Sequence, residues 1–234
     1  MILYYKDSEN SRQFQEDGDV LKKYILFDLD GTLTNPKEGI TRCVQHALRY
    51  FGIEKECDDL LCFIGPPLKE QFMEYAALSE EDAVKAVEVY RERFAPIGLF
   101  ENEIYDGILD MLSSFKKQGK VLAVATSKPT VFAEKICEKY GITPYLSNLS
   151  GSELDGRNTD KALVIENAMK ALGATRDETV MVGDRRHDCE GAEKNGIPCI
   201  GVSYGFGGTE ELSEGGADFI AHSPEELLKI LSSM

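Results

Sequence analysis

Short apolar runs alternate with amphipathic stretches along most of this chain, and this alternation restricts the fold more than any other feature. From Tyr24 onward the apolar runs are YILF, VLAVA, YLSNL, TVMV, PCIGV and DFIA. Helical patterns lie at about 107–118, 129–140, 159–172, 187–195 and 223–233. Several of them end at a glycine, which is a favourable helix C-cap residue. Strand–helix alternation of this kind predicts a doubly wound α/β fold with a parallel sheet.

The interval 36–100 interrupts the alternation, because it carries three helical patterns and no convincing strand. We therefore predict a helical insertion after the first strand, with a core domain made of residues 23–35 and 101–234. Ligands of open α/β sheets bind at the carboxyl ends of the strands, so an insertion leaving from there would cover the site. Residues 1–22 are mostly polar and acidic, and we predict that they form a flexible leader.

The charge balance and the cysteines restrict the possible partners and location. The 234 residues include 41 acidic and 26 basic side chains, which give a net charge of −15 and leave no basic patch for nucleic acid. The six cysteines are scattered, as is typical of reduced thiols. No apolar run approaches the roughly 18 residues of a membrane span, and no signal peptide pattern is present. These features predict a soluble, cytoplasmic protein that binds neither nucleic acid nor membrane.

Two carboxylates follow the first apolar run, in the segment FDLDGT. Asp28 and Asp30 are two residues apart, so extended backbone places both on the same side. Like charges this close repel, which makes sense if a cation lies between them or if one carboxyl stays protonated as a general acid. The alternative is a simple strand-to-loop turn at the Asp-Gly dipeptide.

Polar residues also stand at the starts of two later helical patterns. Thr126 and Ser127 follow VLAVA, where hydroxyls and backbone amides can hold phosphate oxygens. The alternative, which this segment taken alone favours, is that one of them caps the next helix. Thr159 is predicted as an N-cap that places Lys161 in the first helical turn. A cation there opposes the helix dipole, a cost that a neighbouring phosphate and aspartate would offset. A solvated surface lysine is the alternative.

The segment VGDRRHD follows the run TVMV and supplies another pair of carboxylates. If the helix begins at once, Asp184 and Asp188 lie one turn apart on a common face and repel unless a cation is present. Carboxylate oxygens are the ligands that Mg²⁺ prefers. In the alternative interpretation Asp184 caps the helix and Asp188 is a surface charge.

Taken in order, these four segments resemble the four signature motifs of the haloacid dehalogenase superfamily. DLDGTLTN and VGDRRHD are the most specific parts, and the resemblance extends from residue 24 to about 222. It implies a Rossmann-like core, and the insertion is similar to the superfamily's type-one helical cap. It further implies Asp28 as nucleophile, Asp30 as general acid and base, Thr126 as phosphate ligand and Lys161 as charge neutraliser. The implied Mg²⁺ ligands are Asp28, Asp30, Asp184 and Asp188.

One loop of the insertion resembles the substrate-specificity loop of phosphoglycolate phosphatase-like caps. It reads GPPLK, and its Gly65, Pro66 and Lys69 are the implied substrate contacts, together with Ser127 in the core. The alternative is an ordinary turn that starts a helix. The third motif departs from the Lys-Pro version common among phosphoglycolate phosphatases, because Ala162 follows Lys161.

The resemblance implies a Mg²⁺-dependent phosphatase that hydrolyses a small phosphomonoester through an aspartyl-phosphate. The substrate stays open between a phosphoglycolate-like compound and a nucleoside 5′-monophosphate, because the motifs address the phosphoryl group and only the cap addresses the rest. A phosphosugar mutase, a pyrophosphatase on the same scaffold and a non-catalytic phosphate- or Mg²⁺-binding protein are the alternatives. The sequence leaves both a monomer and a dimer possible.

Overall fold

A parallel six-stranded sheet forms the centre of the computed structural model, which describes residues 21–234. The strands in this part are β1 (Tyr24–Phe27), β2 (Thr34–Asn35), β3 (Glu103–Ile104), β4 (Val121–Pro129), β5 (Leu146–Ser152), β6 (Thr179–Gly183), β7 (Cys199–Val202) and β8 (Phe219–Ala221). The sheet order is β5-β4-β1-β6-β7-β8, and every neighbouring pair is parallel. The predicted doubly wound parallel sheet is confirmed. The predicted leader, residues 1–22, lies outside the described residues except for its last two.

Helices connect the strands. In the described part they are α1 (Lys37–Tyr50), α2 (Leu68–Ala76), α3 (Glu80–Phe94), α4 (Ile108–Lys117), α5 (Thr130–Lys139), α6 (Lys161–Leu172), α7 (Arg186–Asn195), α8 (Gly208–Glu214) and α9 (Pro224–Ser232). The five helical patterns predicted outside the insertion correspond to α4, α5, α6, α7 and α9. The short α8 was not predicted, since the glycines around it resemble a loop.

The start of α6 differs from the prediction by one residue. Asp160, and not Thr159, is the N-cap, and its Oδ1 accepts a hydrogen bond from the backbone N–H of Leu163 at 3.0 Å. An aspartate is a strong N-cap because its carboxylate satisfies a free amide and complements the helix dipole. Lys161 still lies in the first turn, so its predicted position in the helix holds.

Strand β1 shows why the apolar runs are continuous and do not alternate. Ile25, Leu26 and Phe27 are all fully buried. Ile25 and Phe27 pack in one apolar cluster, whereas Leu26 packs in a second cluster with residues of α6 and α7. A central parallel strand is covered on both faces, so both sets of side chains must be apolar.

The interval 36–100 contains α1, α2 and α3 and no strand. Two short strands flank it: β2 and β3 pair antiparallel, with Thr34 opposite Ile104 and Asn35 opposite Glu103. The chain therefore leaves the core and returns to it through adjacent segments. Apolar residues of the insertion, Phe63 and Phe72 among them, belong to the same buried cluster as Ile25 and Phe27.

Two expectations drawn from the sequence concern membrane spans and the state of the cysteines. Among the helices described between residues 21 and 234, none combines the length and the apolar character needed to cross a membrane. All six cysteines are free thiols.

Replacement of Phe115 by alanine tests the packing of α4 on the sheet. Phe115 is fully buried and its ring centroid lies 6.4 Å from that of Phe27. Phe115→Ala is expected to lower the free energy of unfolding by about 3–5 kcal/mol, because it leaves a cavity in the core. The matched control is Leu109→Ala on the same helix, where the side chain is 37% exposed and the loss should be below about 1 kcal/mol. Equal losses in urea titrations of the two variants would contradict this account of the core.

Candidate active site

The carboxyl end of β1 carries Asp28 and Asp30, and both side chains are buried. The chain turns immediately afterwards at Gly31, whose φ is +84°. A Cβ atom at Gly31 would lie 2.1 Å from Oδ2 of Asp184, so only glycine permits both the turn and the close approach of that carboxylate. The Asp-Gly dipeptide is therefore a turn, as one interpretation predicted, and it also builds the site.

Lys161 holds two carboxylates together from the first turn of α6. Its Nζ lies 2.9 Å from Oδ1 of Asp28 and 2.8 Å from Oδ1 of Asp188, and it donates a hydrogen bond to the Ala125 carbonyl at 3.2 Å. Burial disfavours the charge on Lys161, but Asp188 and Asp28 outweigh burial and raise the pKa of the ammonium group above its usual value. Lys161 is 7% exposed, so the alternative of a solvated surface lysine is wrong.

Three carboxylates converge beside this ammonium group. Oxygens of Asp28, Asp184 and Asp188 lie within 4.8 Å of one another, and all three side chains are buried. Burial, together with the charges of Asp188 and Asp28, raises the pKa of Asp184 well above its usual range. Oδ1 of Asp184 has no hydrogen-bond partner among the described residues. Lys161 supplies one positive charge beside three buried carboxylates, so the cluster can accommodate a divalent cation.

The loop after β6 orients two of these carboxylates. Arg185 precedes α7, and its backbone N–H donates to Oδ2 of Asp188 at 3.1 Å. Oδ2 of Asp184 instead accepts the backbone N–H of Phe206 at 2.8 Å. Asp184 therefore does not cap α7, and Asp188 is buried, so the alternative interpretation of this segment is wrong.

Asp30 does not join the three-carboxylate cluster. Its Oδ2 forms a short ion pair with Nζ of Lys128, and both side chains are buried. Burial raises the pKa of Asp30, although Lys128 opposes the shift. Of the four carboxylates predicted to bind the metal, three converge and the side chain of Asp30 lies apart from them. Burial thus favours the protonated form of Asp30, whereas the Lys128 ammonium group favours the carboxylate.

Lys128 is a site residue that sequence reasoning missed. It follows Thr126 by two positions in β4, and both residues line the same cavity. Its ammonium group also lies 5.0 Å from the centre of the Phe94 ring in the insertion. Its position at the carboxyl end of a predicted strand was the only available signal. This signal is weak, because a lysine before a proline is common in loops that lead into a helix.

Thr126 and Ser127 lie at the carboxyl end of β4, next to the carboxylates. Thr126 is buried and its Oγ1 accepts the backbone N–H of Lys128 at 3.3 Å. The Ser127 hydroxyl donates to the Thr159 carbonyl at 2.9 Å. Neither residue caps α5, which begins after Pro129 without a side-chain cap. The capping alternative for this segment is therefore wrong.

A cavity of about 440 Å³ opens from Asp28 and Asp30 toward the insertion. The predicted core residues Thr126 and Ser127 line it, as do the predicted insertion residues Gly65, Pro66 and Lys69. Lys69 also forms an ion pair with Glu80 at 2.6 Å, in which both side chains are exposed. Apolar side chains of the insertion and the core complete the wall, among them Val84, Val87, Phe94, Phe132 and Leu154.

The segment after β7 contributes a second feature that the sequence did not reveal. The backbone N–H of Phe206 in this segment donates a hydrogen bond to Oδ2 of Asp184. A Cβ at Gly205 would lie 2.4 Å from Cβ of Asp184, so this segment reaches the carboxylate only with glycine at that position. The Tyr204 hydroxyl donates to the Thr32 carbonyl at 3.0 Å, which joins this loop to the first motif.

A model of the haloacid dehalogenase-like hydrolase family matches residues 25–202. The chain belongs to this family. A 5′-nucleotidase of Pseudomonas aeruginosa is 45% identical over 211 residues, which cover 90% of this chain and 92% of that protein. The tyrosine-protein kinase PtkA of Mycobacterium tuberculosis is 34% identical over 200 residues, 85% of this chain and 68% of that protein.

A crystal structure described as a predicted phosphatase from Clostridium acetobutylicum has a similar fold. It aligns with a TM-score of 0.90 and 47% identity, over 92% of this chain and all of that one. The predicted family, the α/β fold and the enzyme class, a haloacid dehalogenase-like phosphatase, are confirmed.

Replacement of Lys128 tests its pairing with Asp30. Lys128→Met is expected to lower the free energy of unfolding by about 3–5 kcal/mol, because it leaves the buried carboxylate of Asp30 without a counter-ion. The double variant Lys128→Met/Asp30→Asn should recover part of this loss, since no charge is then left unpaired. Chemical unfolding measures both effects, and exposed Lys117 provides the control Lys117→Met. A double variant that is no more stable than the single one would refute the pairing.

Proposed function

We propose that the protein is a Mg²⁺-dependent phosphatase that hydrolyses a nucleoside 5′-monophosphate through an aspartyl-phosphate at Asp28. The observation that carries the proposal is the position of Asp28. It lies at the wall of the cavity, is ion-paired with Lys161, and belongs to the cluster with Asp184 and Asp188. A nucleophile, a neutralising cation and a set of metal ligands therefore meet at one carboxylate.

The first half-reaction joins Asp28 to phosphorus. A carboxylate oxygen of Asp28 attacks the phosphoryl group, the bond between phosphorus and the leaving oxygen breaks, and an aspartyl-phosphate forms. Two negatively charged partners repel, and the Lys161 ammonium group, 2.9 Å from Asp28, reduces this repulsion. Mg²⁺ held by Asp28, Asp184 and Asp188 would supply further neutralisation of the phosphoryl oxygens. Asp188 also keeps Lys161 in place.

Asp30 is suited to move the protons. Burial raises its pKa, which makes protonation of the carboxyl easier, and the protonated form can donate to the leaving oxygen in the first step. The resulting carboxylate, paired with Lys128, can then take a proton from the water that attacks the aspartyl-phosphate. That second step returns Asp28 as a carboxylate and releases inorganic phosphate. One residue thus acts as acid and then as base.

The remaining predicted residues divide between the phosphoryl group and the leaving group. Thr126 and Ser127 line the cavity beside Asp28, where a hydroxyl and backbone amides can bind phosphoryl oxygens. We infer that the insertion is a cap whose Gly65, Pro66 and Lys69 face the leaving group. Closure of such a cap excludes bulk water during the transfer.

The cavity favours a nucleoside over a two-carbon acid. Its volume of about 440 Å³ exceeds what phosphoglycolate requires and is within the range of sites for larger ligands. The side chains beyond the carboxylates include the aromatic rings of Phe94 and Phe132 and the aliphatic Val84 and Val87. Aromatic and aliphatic walls suit a planar base. The Pseudomonas aeruginosa relative is named a 5′-nucleotidase, which supports this choice.

Phosphate release by Asp28→Asn tests the nucleophile. The variant is expected to lose at least about 1,000-fold in kcat, because an amide oxygen is a poor nucleophile and forms no aspartyl-phosphate. The panel contains nucleoside 5′-monophosphates, phosphoglycolate, sugar phosphates and pyrophosphate, each with Mg²⁺ or with excess chelator. Asp106→Asn removes an exposed charge and serves as control.

Each result of the panel has a defined meaning. Metal-dependent release that persists in Asp28→Asn contradicts the nucleophile. A preference for phosphoglycolate contradicts the nucleoside assignment, and transfer to a second sugar hydroxyl points to a mutase. Absence of release from every compound supports a non-catalytic binding protein.

The metal ligands are tested without catalysis. Mg²⁺ at about 100 times its dissociation constant is expected to stabilise the protein against unfolding by about 2.7 kcal/mol, and Asp184→Asn to lose most of that gain. In chelator the same variant should be at least as stable as the wild type, because it removes one of three neighbouring carboxylate charges. Thermal unfolding with Mg²⁺ and with chelator measures both arms, with Asp106→Asn as control. A Mg²⁺ gain retained by Asp184→Asn would rule out the assigned site.

A further inference from the structure

Arg185 connects the metal-binding loop to the insertion. It stands between Asp184 and Asp188, before the first residue of α7, and its side chain reaches the insertion. Its Nη1 donates a hydrogen bond of 2.6 Å to the backbone carbonyl of Ile64. Ile64 directly precedes Gly65, so the contact lies at the base of the loop that lines the cavity.

A glutamate in the core holds the guanidinium group in this orientation. Oε1 of Glu211, in α8, accepts the Nε–H of Arg185 at 2.8 Å and also the backbone N–H of Arg186 at 3.0 Å. The side chains of Arg185 and Glu211 are 14% and 24% exposed, so solvent screens this pair only partly. Arg185 is thus anchored on the core and reaches the insertion with a different nitrogen.

The loop of the insertion lies against the stem of the same side chain. A Cβ added at Gly65 would meet Cγ of Arg185 at 3.0 Å, and the φ of Gly65 is +106°. Glycine at this position therefore permits two things: the close contact between the loop backbone and the arginine side chain, and a positive φ that residues with a Cβ rarely adopt. Pro66 and Pro67 come next and restrict the loop further.

We propose that Arg185 is the positioning residue that sets the Gly65–Leu68 loop over the active site. The proposal rests on the phosphatase function proposed above and extends it to the control of leaving-group recognition. A planar guanidinium group can donate hydrogen bonds to a carboxylate and to a carbonyl at the same time, because its N–H groups point in different fixed directions. The ammonium group of a lysine, on a flexible side chain, is less suited to this. The loop that contacts the leaving group is therefore held by the same segment that carries Asp184 and Asp188.

The test compares a substrate that fills the cavity with one that does not. Adenosine 5′-monophosphate places a nucleoside against the insertion, whereas acetyl phosphate has a small leaving group. Arg185→Met keeps an unbranched stem against Gly65 and removes the charge and the donors. The matched control is Arg186→Met, the same change one position later, where the exposed side chain pairs with Glu190 across one turn of α7.

A loss of leaving-group recognition is the expected result. In Arg185→Met the ratio of kcat/KM for adenosine monophosphate to kcat/KM for acetyl phosphate should fall by about tenfold or more, the effect of losing a charged hydrogen bond. The Mg²⁺ concentration that gives half-maximal activity should match the wild type. Arg186→Met should leave the ratio unchanged, and Arg185→Lys should recover part of it, which also provides a variant if Arg185→Met does not fold.

Two kinetic results would overturn the proposal. If both substrates lose the same factor, or if the half-saturating Mg²⁺ concentration rises, Arg185 supports the metal loop and does not position the insertion. If neither substrate is affected, the contact with Ile64 has no role in recognition.

A second measurement does not depend on catalysis. Hydrogen exchange of the amides in residues 64–69 should be faster in Arg185→Met than in Arg186→Met and the wild type, because the loop loses its anchor. Unchanged exchange in this segment overturns the proposal. A wild-type protein that releases no phosphate contradicts the proposed function, and the exchange result then decides the role of Arg185 alone.

Discussion

Two ion pairs made by one buried ammonium group organise this active site. Lys161 contacts Asp28, which directly follows strand β1, and Asp188 in helix α7, and it donates a hydrogen bond to the Ala125 carbonyl in β4. Three elements distant in sequence are thereby tied together at one edge of the sheet. Burying these charges costs desolvation free energy. The attraction within the ion pairs offsets that cost only when the distances and angles are close to ideal. The surrounding apolar core supplies that accuracy.

The site remains negative despite Lys161. Asp184 adds a third carboxylate to the pair already neutralised in part, and its pKa is raised by burial and by its two acidic neighbours. An arrangement of this kind is costly without a cation, so a divalent cation bound here would stabilise the fold locally. The second buried pair, Asp30 with Lys128, is separate from this cluster. Two aspartates only two residues apart therefore lie in different electrostatic environments.

The sequence could predict most of the core because its signals are local. Continuous apolar runs mark strands covered on both faces, and Ile25, Leu26 and Phe27 are covered in this way. The acidic segments that follow β1 and β6 could be placed near each other, because parallel strands present their carboxyl ends at one edge of the sheet. Residues with no local signal were missed: Lys128 looks like a lysine before a helix, and the Phe206 amide has no side-chain signature at all. The N-cap of α6 was displaced by one residue because Thr159 and Asp160 are both good caps.

By itself the sequence determined the α/β alternation and the helical character of residues 36–100. It also indicated which carboxylate, hydroxyl and lysine side chains are suited to bind a phosphoryl group. These depend on periodicity and on neighbours along the chain, which a sequence records directly. Only the tertiary structure decided that Lys161 is buried between Asp28 and Asp188, that Asp30 pairs with Lys128, and that Arg185 reaches the insertion. Each of these contacts joins residues far apart in the chain, through distances set by the packing of both sheet faces. Charge pairing at such distances depends on burial and geometry, which no local pattern encodes.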